Sequence, residues 1–281
     1  MIVDRHLREI LSATFGPLAT REDDDPLPGP RSLTILLEKI APDETGDKIV
    51  DTAAASHFAT AAIDIWLRSV HSFLISVSLT ECSPIWASIC GYYASHYSVR
   101  AVAHVLGFFQ LFRKKKLVQL KVDDGRYICV FRKKAARSGE HQIYWRLVKH
   151  STTCEGDDIF TENDQESEES DARHRNHANY SDHLFQYPDF TIADTSALKD
   201  RIDYISKIVF DAAPLPRIGK FPDIEFVQLI AYHRIVSFRR LLDETLGTEN
   251  KFWMAHRNPR FAEGFMDFQL ADGAGLSQLG T

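Results

Sequence analysis

Two long amphipathic stretches follow one another between Ala53 and Phe112, and they constrain the fold more than any other feature of the sequence. In the first stretch, apolar residues from Phe58 to Val77 recur every three or four positions, which places them on one face of a helix. Thr80-Glu81-Cys82 interrupts this pattern, and Ser83-Pro84 supplies an N-cap hydroxyl followed by proline at the first helical position. A second helix then continues to a stop at Gly107. These residues predict an antiparallel helical hairpin, the half-unit of a four-helix bundle.

The remaining sequence predicts further helices and one small sheet. Helical spacing occurs within residues 1–20, 196–210 and 220–246, whereas residues 32–40 fit either a helix or a strand, and residues 41–51 are typical of a loop. Asp124-Gly125 is a strong hairpin turn between two alternating segments, and residues 142–148 resemble a third strand. We therefore predict a mainly α protein, an antiparallel helical bundle with a small inserted antiparallel β-sheet at residues 117–149.

The predicted organisation is an N-terminal extension at 1–52, the bundle at 53–250 and a C-terminal tail at 251–281. Charged and amphipathic residues open the chain, which is not typical of a secretory signal. Asp64, Arg68 and His71 interrupt the most apolar window, so we expect no membrane-spanning segment. The four cysteines form no Cys-x-x-Cys pair, which argues against a zinc or redox site. We expect a cytoplasmic protein with reduced thiols.

Charge is strongly polarised along the middle of the chain. Residues 113–149 carry twelve Lys or Arg against three carboxylates, and residues 155–171 carry nine carboxylates and no base. One interpretation is a solvated acidic loop that neutralises a basic sheet. The other is that the sheet binds phosphate backbones while the acidic run acts as a mobile competing cover. The candidate nucleic-acid-binding residues are Lys114, Lys115, Lys116, Arg132, Lys133 and Lys134.

The densest group of chemically reactive side chains lies just after the acidic run. On a helix, Arg173, Asn176, His177, Tyr180 and His183 would fall close to one face, with Arg175 somewhat to the side. A guanidinium can bind a phosphodiester at two points and stabilise developing charge, and an imidazole can transfer the proton of a ribose 2′-hydroxyl. That reaction needs no metal or cofactor. The alternative is an exposed polar helix start with no chemical role.

A second group, His96, Arg100 and His104, shares helical spacing on the second helix of the hairpin. It fits either a further polar site or interfacial residues satisfied by their neighbours. Tyr92, Tyr93 and Trp86 fit the core better than a base-stacking platform.

The tyrosine-rich helix Gly91-Tyr92-Tyr93-Ala94-Ser95-His96-Tyr97-Ser98-Val99-Arg100-Ala101 resembles helices of the HEPN superfamily. HEPN domains are helical bundles of toxins, CRISPR effectors and anti-phage systems, and many are metal-independent RNases. Their motif is an arginine, often followed by a polar residue, and a histidine after four to six residues. Arg175-Asn176 matches the first half of the motif. Tyr180 occupies the first position at which the motif allows its histidine, and His183 lies one residue beyond the last such position. The resemblance implies a homodimer, because HEPN sites commonly form across two chains.

Two functions follow as expectations. The first is an HEPN-like RNA-binding protein or metal-independent endoribonuclease, of the kind found in toxins and anti-phage defence. Arg175 would bind the phosphate, Asn176 would orient Arg175, and His177, Tyr180 or His183 would transfer the proton. The second is a non-catalytic helical adaptor or scaffold subunit of a bacterial multi-protein complex, in which the basic sheet contacts a protein or nucleic-acid partner.

Overall fold

The computed structural model describes residues 4–19, 29–133, 140–151, 158–161, 195–211 and 223–258. Within these ranges the protein is mainly helical with a small antiparallel sheet, which confirms the predicted fold class. The helices are α1 (Arg5–Phe15), α2 (Pro30–Ile40), α3 (Thr52–Ser78), α4 (Pro84–Val105), α5 (Glu140–Lys149), α6 (Asp158–Thr161), α7 (Thr195–Asp211), α8 (Asp223–Leu246) and α9 (Lys251–His256). The strands are β1 (Gly46–Val50), β2 (Phe108–Leu111), β3 (Lys116–Asp123) and β4 (Arg126–Lys133).

The described chain forms two compact units, each assembled from separate stretches of sequence. Unit 1 takes its described residues from 4–66, 99–151 and 238–257, and unit 2 takes them from 67–98 and 158–237. Helices α3, α4 and α8 each contribute residues to both units.

The predicted helical hairpin is present as α3 and α4, separated by a turn at residues 79–83. Asp51 caps α3, because its carboxylate accepts a hydrogen bond from the backbone N–H of Ala54 at 2.7 Å. Gly107 follows α4 with φ at +82°, a left-handed conformation that ends helices and favours glycine. A Cβ at this position would lie 2.8 Å from the carbonyl oxygen of Leu120, so glycine also permits the approach of β3.

The sheet has the strand order β1-β4-β3-β2, and all its pairings are antiparallel. The predicted turn at Asp124-Gly125 joins β3 to β4, with φ at +45° and +70° as a type I′ turn requires. Two strands were not predicted: β1 lies in the segment expected to be a loop, and β2 lies at the expected end of the hairpin. β1 lacks apolar alternation, since three of its five residues are exposed, and it is held by its backbone pairing with β4.

The prediction of a third strand at residues 142–148 is wrong, because this segment belongs to helix α5. Its buried side chains are Ile143, Tyr144, Trp145 and Val148, whereas Arg146 is exposed. A strand would place Arg146 on the same face as Tyr144 and Val148, and a helix does not. The helix also carries Arg146 and Lys149 in its last turn, where cations suit the helix dipole.

One face of the sheet packs in unit 1 against α2 and the first part of α3. Leu37 and Phe58 of these helices share a buried cluster with Phe109, Val118 and Phe131 of the strands. The segment at residues 32–40, which fitted either a helix or a strand, is therefore helical and amphipathic. Phe252 and Trp253 of α9 are also buried, and Trp253 lies 5.7 Å from Trp66 between ring centroids.

Unit 2 is held by a buried amide and a close helix contact. Gln228 of α8 donates hydrogen bonds to Thr80 Oγ1 at 2.8 Å and to the carbonyl oxygen of Ser76 at 3.1 Å. Its own oxygen accepts from Arg201 of α7 at 3.3 Å. Nearby, Gly91 of α4 faces Val227, whose Cγ1 would lie 2.7 Å from a Cβ at position 91.

Candidate nucleic-acid interface

Five exposed cations collect at one end of the sheet. Arg113, Lys114 and Lys115 form most of the turn between β2 and β3, and Arg132 and Lys133 are the last two residues of β4. The register brings the two groups together, because Leu117 pairs with Arg132 and Lys116 pairs with Lys133. We call the five residues Arg113, Lys114, Lys115, Arg132 and Lys133 the basic end.

Lys116 was predicted to bind nucleic acid, but it is only 5% exposed and serves the fold instead. Its ammonium donates hydrogen bonds to the backbone carbonyls of Pro42, of Asp43 at 3.0 Å and of Glu44 at 2.7 Å. A lysine ammonium has three donors, so these contacts occupy all of them. Lys116 therefore fixes the loop before β1 and is not part of the basic end.

The loop before β1 also contributes negative charge near the basic end. Asp43 and Glu44 are exposed beside the basic end, and the five exposed cations outnumber these two carboxylates. Lys114 extends back towards the same loop, with its Nζ 3.5 Å from the carbonyl oxygen of Ala41. The remaining candidate, Lys134, lies outside the described residues. Of the six predicted nucleic-acid-binding residues, the structure thus brings together Lys114, Lys115, Arg132 and Lys133.

Phe112 is a member of this neighbourhood that the sequence interpretation missed. It was assigned to the end of the helical hairpin, whereas it begins the turn between β2 and β3 and is 41% exposed. The preceding residue, Leu111, is fully buried in the sheet core. The available signal was Gly107, because a helix that ends there leaves Phe112 outside the hairpin.

The residues predicted to carry phosphodiester chemistry lie outside the described residues. This applies to Arg173 and to the five candidate catalytic residues Arg175, Asn176, His177, Tyr180 and His183. Their predicted roles stay predictions.

The second polar group on α4 belongs to the core. His104 is fully buried, its Nδ1 lies 2.8 Å from the carbonyl oxygen of Phe108, and its ring lies 5.5 Å from that of Tyr144. Burial, with the positive charge of Arg100 as a smaller cause, lowers the pKa of His104 to about 3. In unit 2, His96 is 3% exposed and stacks on the buried ring of Tyr92. Both imidazoles are therefore buried in the protein.

Of the three aromatic residues expected in the core, Tyr92 is fully buried and Tyr93 is half-buried. Trp86 does not fit that expectation, because it is 59% exposed near the start of α4.

Part of the acidic run is packed in the folded protein, although its acidic composition predicted a solvated loop. Residues Asp158–Thr161 form the short helix α6, in which Ile159 and Phe160 are buried in unit 2. The guanidinium Nε of the buried Arg234 donates a hydrogen bond to the carbonyl oxygen of Ile159 at 2.6 Å. The run from 155 to 171 is therefore attached to the folded protein part-way along its length.

No group of three or more metal-ligating side chains occurs in the part of the chain that the structure describes. Helix α3 is long and apolar enough to cross a membrane, but 67% of its most apolar window is buried in the protein, as in the core helix of a soluble protein. The chain matches no protein-family model, no curated protein and no solved structure.

Proposed function

We propose that this chain is an RNA-binding protein that holds the RNA backbone at the basic end of its sheet. The observation that carries the proposal is the convergence of five exposed cations from two separate segments of the chain. Lys and Arg side chains that neutralise phosphates release condensed counterions, which supplies most of the affinity of sequence-independent binding. The overall charge of −6 does not oppose this, because binding depends on the local surface.

The binding step is tested by fluorescence anisotropy with a labelled single-stranded RNA. If the five cations of the basic end contact phosphates, a plot of log affinity against log salt should have a slope of about −3.5. The double variant Lys114→Glu/Arg132→Glu should bind much more weakly and give a shallower slope. A matched control is Lys207→Glu/Lys251→Glu, which changes two exposed lysines elsewhere by the same charge. Equal loss in both double variants would contradict a specific basic end.

We extend the proposal to catalysis on the strength of the HEPN resemblance. Arg175 would bind the scissile phosphate, Asn176 would orient Arg175, and His177, Tyr180 or His183 would move the proton, without a metal ion. The resemblance places such a site in a homodimer of a cytoplasmic toxin or anti-phage component. Cleavage of RNA should then persist in EDTA and disappear in Arg175→Ala. Arg175→Lys should also lose most activity, because lysine keeps the charge but not the two-point geometry.

The control for this experiment is RNA binding by the Arg175→Ala variant, which should lose the one phosphate contact of Arg175 and keep the contacts of the basic end. If the wild-type chain binds RNA but cleaves none under any condition, the enzyme proposal fails and RNA binding stands. Expression of the wild type but not of Arg175→Ala should arrest growth if the protein is a nuclease toxin.

A non-catalytic adaptor is the second candidate, and the exposed Trp86 favours it. Large aromatic side chains are enriched at protein interfaces, and this indole is 59% exposed on a helix that otherwise packs in the core. The adaptor predicts that neither the charge-reversal variant nor Arg175→Ala changes RNA turnover in cells. It also predicts that Trp86→Ala removes the function of the protein without lowering its melting temperature.

A further inference from the structure

A cleft lies in unit 1 between helix α1 and the hairpin formed by β3 and β4. Its volume of about 470 Å³ falls within the range of roughly 300–1,000 Å³ that is typical of small-molecule sites. The described residues that line it come from one face of α1, from both strands and from the turn between them. None of these residues belongs to the basic end, so the cleft is a separate candidate site.

The wall formed by α1 carries charged and hydrogen-bonding side chains. Arg5, Arg8, Glu9 and Ser12 are spaced three or four residues apart, so they share one face of the helix. The Nε of Arg5 donates a hydrogen bond to Glu9 Oε1 at 2.8 Å. The guanidinium of Arg8 is exposed and has no hydrogen bond or ion pair with any residue that the structure describes. A guanidinium is a planar fork of N–H donors that can bind a carboxylate or a phosphate at two points.

The wall formed by the hairpin is mainly apolar. Val122 and Tyr127 pair across β3 and β4, and both are half-buried. Tyr127 also packs against the buried cluster that contains Phe131, which restricts the movement of its ring. Ala13 adds a small apolar surface from α1. An apolar surface that faces an unpaired guanidinium suits a ligand with an anionic group and an apolar body.

The charge around the cleft favours a ligand with a single negative charge. Among the described lining residues, the guanidinium groups of Arg5 and Arg8 and the carboxylate of Glu9 sum to a formal charge of +1. Asp123 and Asp124 are exposed at the adjoining turn and would repel a polyanion such as RNA. A carboxylate and a phosphodiester each carry one negative charge, so either matches the charge of the cleft.

We propose that this cleft binds a small organic monoanion, a carboxylate or a phosphodiester, that has an apolar or aromatic body. Arg8 holds the anionic oxygens at two points, and Arg5 adds attraction from the preceding turn of the helix. The body of the ligand lies against Val122 and Tyr127. The proposal does not depend on RNA binding, because the cleft and the basic end share no residue.

Isothermal titration calorimetry with the full chain tests two monoanions and their uncharged counterparts. The pairs are indole-3-acetate with indole-3-acetamide, and adenosine 3′,5′-cyclic monophosphate with adenosine. We expect saturable binding of at least one anion, and about 10- to 100-fold weaker binding of its uncharged counterpart, because hydrogen bonds between charged groups are the stronger ones. The anion that binds more tightly distinguishes a carboxylate ligand from a phosphodiester.

Three variants and one control locate the bound anion. Arg8→Gln should weaken its binding about 10- to 100-fold, and Arg8→Lys should restore only part of the loss, because lysine lacks the planar fork. Glu9→Gln should tighten binding about threefold, because it removes the negative charge from the same face of α1. The matched control is Arg31→Gln, which removes an exposed arginine from α2 in the same unit and should bind as the wild type does.

The proposal is overturned if neither anion binds, if the uncharged counterparts bind as tightly, or if Arg8→Gln and Arg31→Gln bind alike. It is also overturned if Lys114→Glu/Arg132→Glu removes anion binding while Arg8→Gln keeps it, because the anion then occupies the basic end. Circular dichroism should confirm that each variant is folded. Arg8→Gln should retain the RNA affinity of the wild type, so failure of the cleft and failure of RNA binding can be told apart.

Discussion

The ammonium of Lys116 donates a hydrogen bond to the backbone carbonyl of Glu44 at 2.7 Å, so a lysine inside a basic run acts as a structural clamp. Replacing it with methionine keeps the aliphatic stem but leaves three carbonyl oxygens of the 42–44 loop without this donor. We expect Lys116→Met to reduce the free energy of unfolding by about 1–3 kcal/mol. Thermal unfolding measures the change.

The control for this prediction is Lys114→Met, two residues away. Lys114 is exposed and makes only one long contact to a backbone carbonyl, so its replacement should change the melting temperature little. If both substitutions lowered the melting temperature equally little, the three carbonyl contacts of Lys116 would not be stabilising the loop.

The pH dependence of stability should carry a contribution from His104. Its pKa is lowered from 6.5 to about 3 in the folded protein. Between these two pH values, His104 is protonated in the unfolded chain and neutral in the folded protein. Folding is therefore unaffected by this group above pH 6.5 and is progressively disfavoured as the pH falls from there towards about 3. Between these limits the contribution changes by about 1.4 kcal/mol per pH unit.

The measurement is urea unfolding of the wild type and of His104→Gln at a series of pH values. The carboxylates titrate in both proteins, so the difference between the two curves isolates the imidazole. We expect the wild type to lose stability relative to the variant as the pH falls below about 6. Parallel curves would show that His104 is protonated equally in the folded and unfolded states.

Gly91 should tolerate no side chain because of its contact in unit 2. A Cβ there would lie 2.7 Å from Val227 Cγ1, which forces a shift, and 3.1 Å from Ser76 Oγ, which would have to move by a few tenths of an ångström. We expect Gly91→Ala to lower the free energy of unfolding by about 1–3 kcal/mol through overpacking. Gly16→Ala is the control, because no atom lies within 4 Å of a Cβ at that position, and it should be neutral or slightly stabilising.

A compensating substitution sharpens this test. Val227→Ala removes the obstructing methyl groups, so the double variant Gly91→Ala/Val227→Ala should be more stable than the sum of the two single changes predicts. Strict additivity would show that the two positions do not conflict.

The acidic run can now be tested without damaging the fold. Deleting residues 155–171 would remove the buried Ile159 and Phe160, so charge neutralisation is the better experiment. We expect the amide substitutions Glu162→Gln, Asp164→Asn, Glu166→Gln, Glu168→Gln, Glu169→Gln and Asp171→Asn together to tighten RNA binding by about tenfold at low salt if the run competes with RNA. Unchanged affinity would favour the solvated-loop interpretation. Raising the salt should reduce any gain, since screening weakens charge competition.

The sequence predicted those parts of the fold that local patterns determine. The hairpin of α3 and α4 follows from helical periodicity and from Ser83-Pro84, and the β3–β4 turn follows from Asp124-Gly125. β1 was not predicted because Gly46–Val50 is mostly exposed and therefore has no apolar alternation. This short edge strand is held by backbone pairing alone, which leaves no pattern in the side chains. Helix α5 was misread because its adjacent buried residues, Ile143 to Trp145, resemble a buried strand over such a short length.

The candidate site, like the fold, could be predicted from the sequence only in part. The cations of the basic end were evident from composition, but the burial of Lys116 depends on a loop more than 70 residues away in sequence. The exposure of Phe112 likewise depends on where α4 ends and β2 begins. Sequence periodicity predicts which neighbouring residues share a face of a helix or strand. The burial of Lys116 and the exposure of Phe112 depend instead on tertiary contacts, which no local pattern encodes.

The two compact units share three helices, and this arrangement bears on when unit 1 can complete its core during synthesis. Unit 1 needs residues from its first helix through to Arg257, so no nascent chain that stops before α9 contains all of its parts. The last strand of its sheet ends at Lys133, but Trp253, which packs on Trp66, is synthesised 120 residues later. The core of unit 1, which carries the basic end, is therefore complete only after the ribosome has synthesised α9.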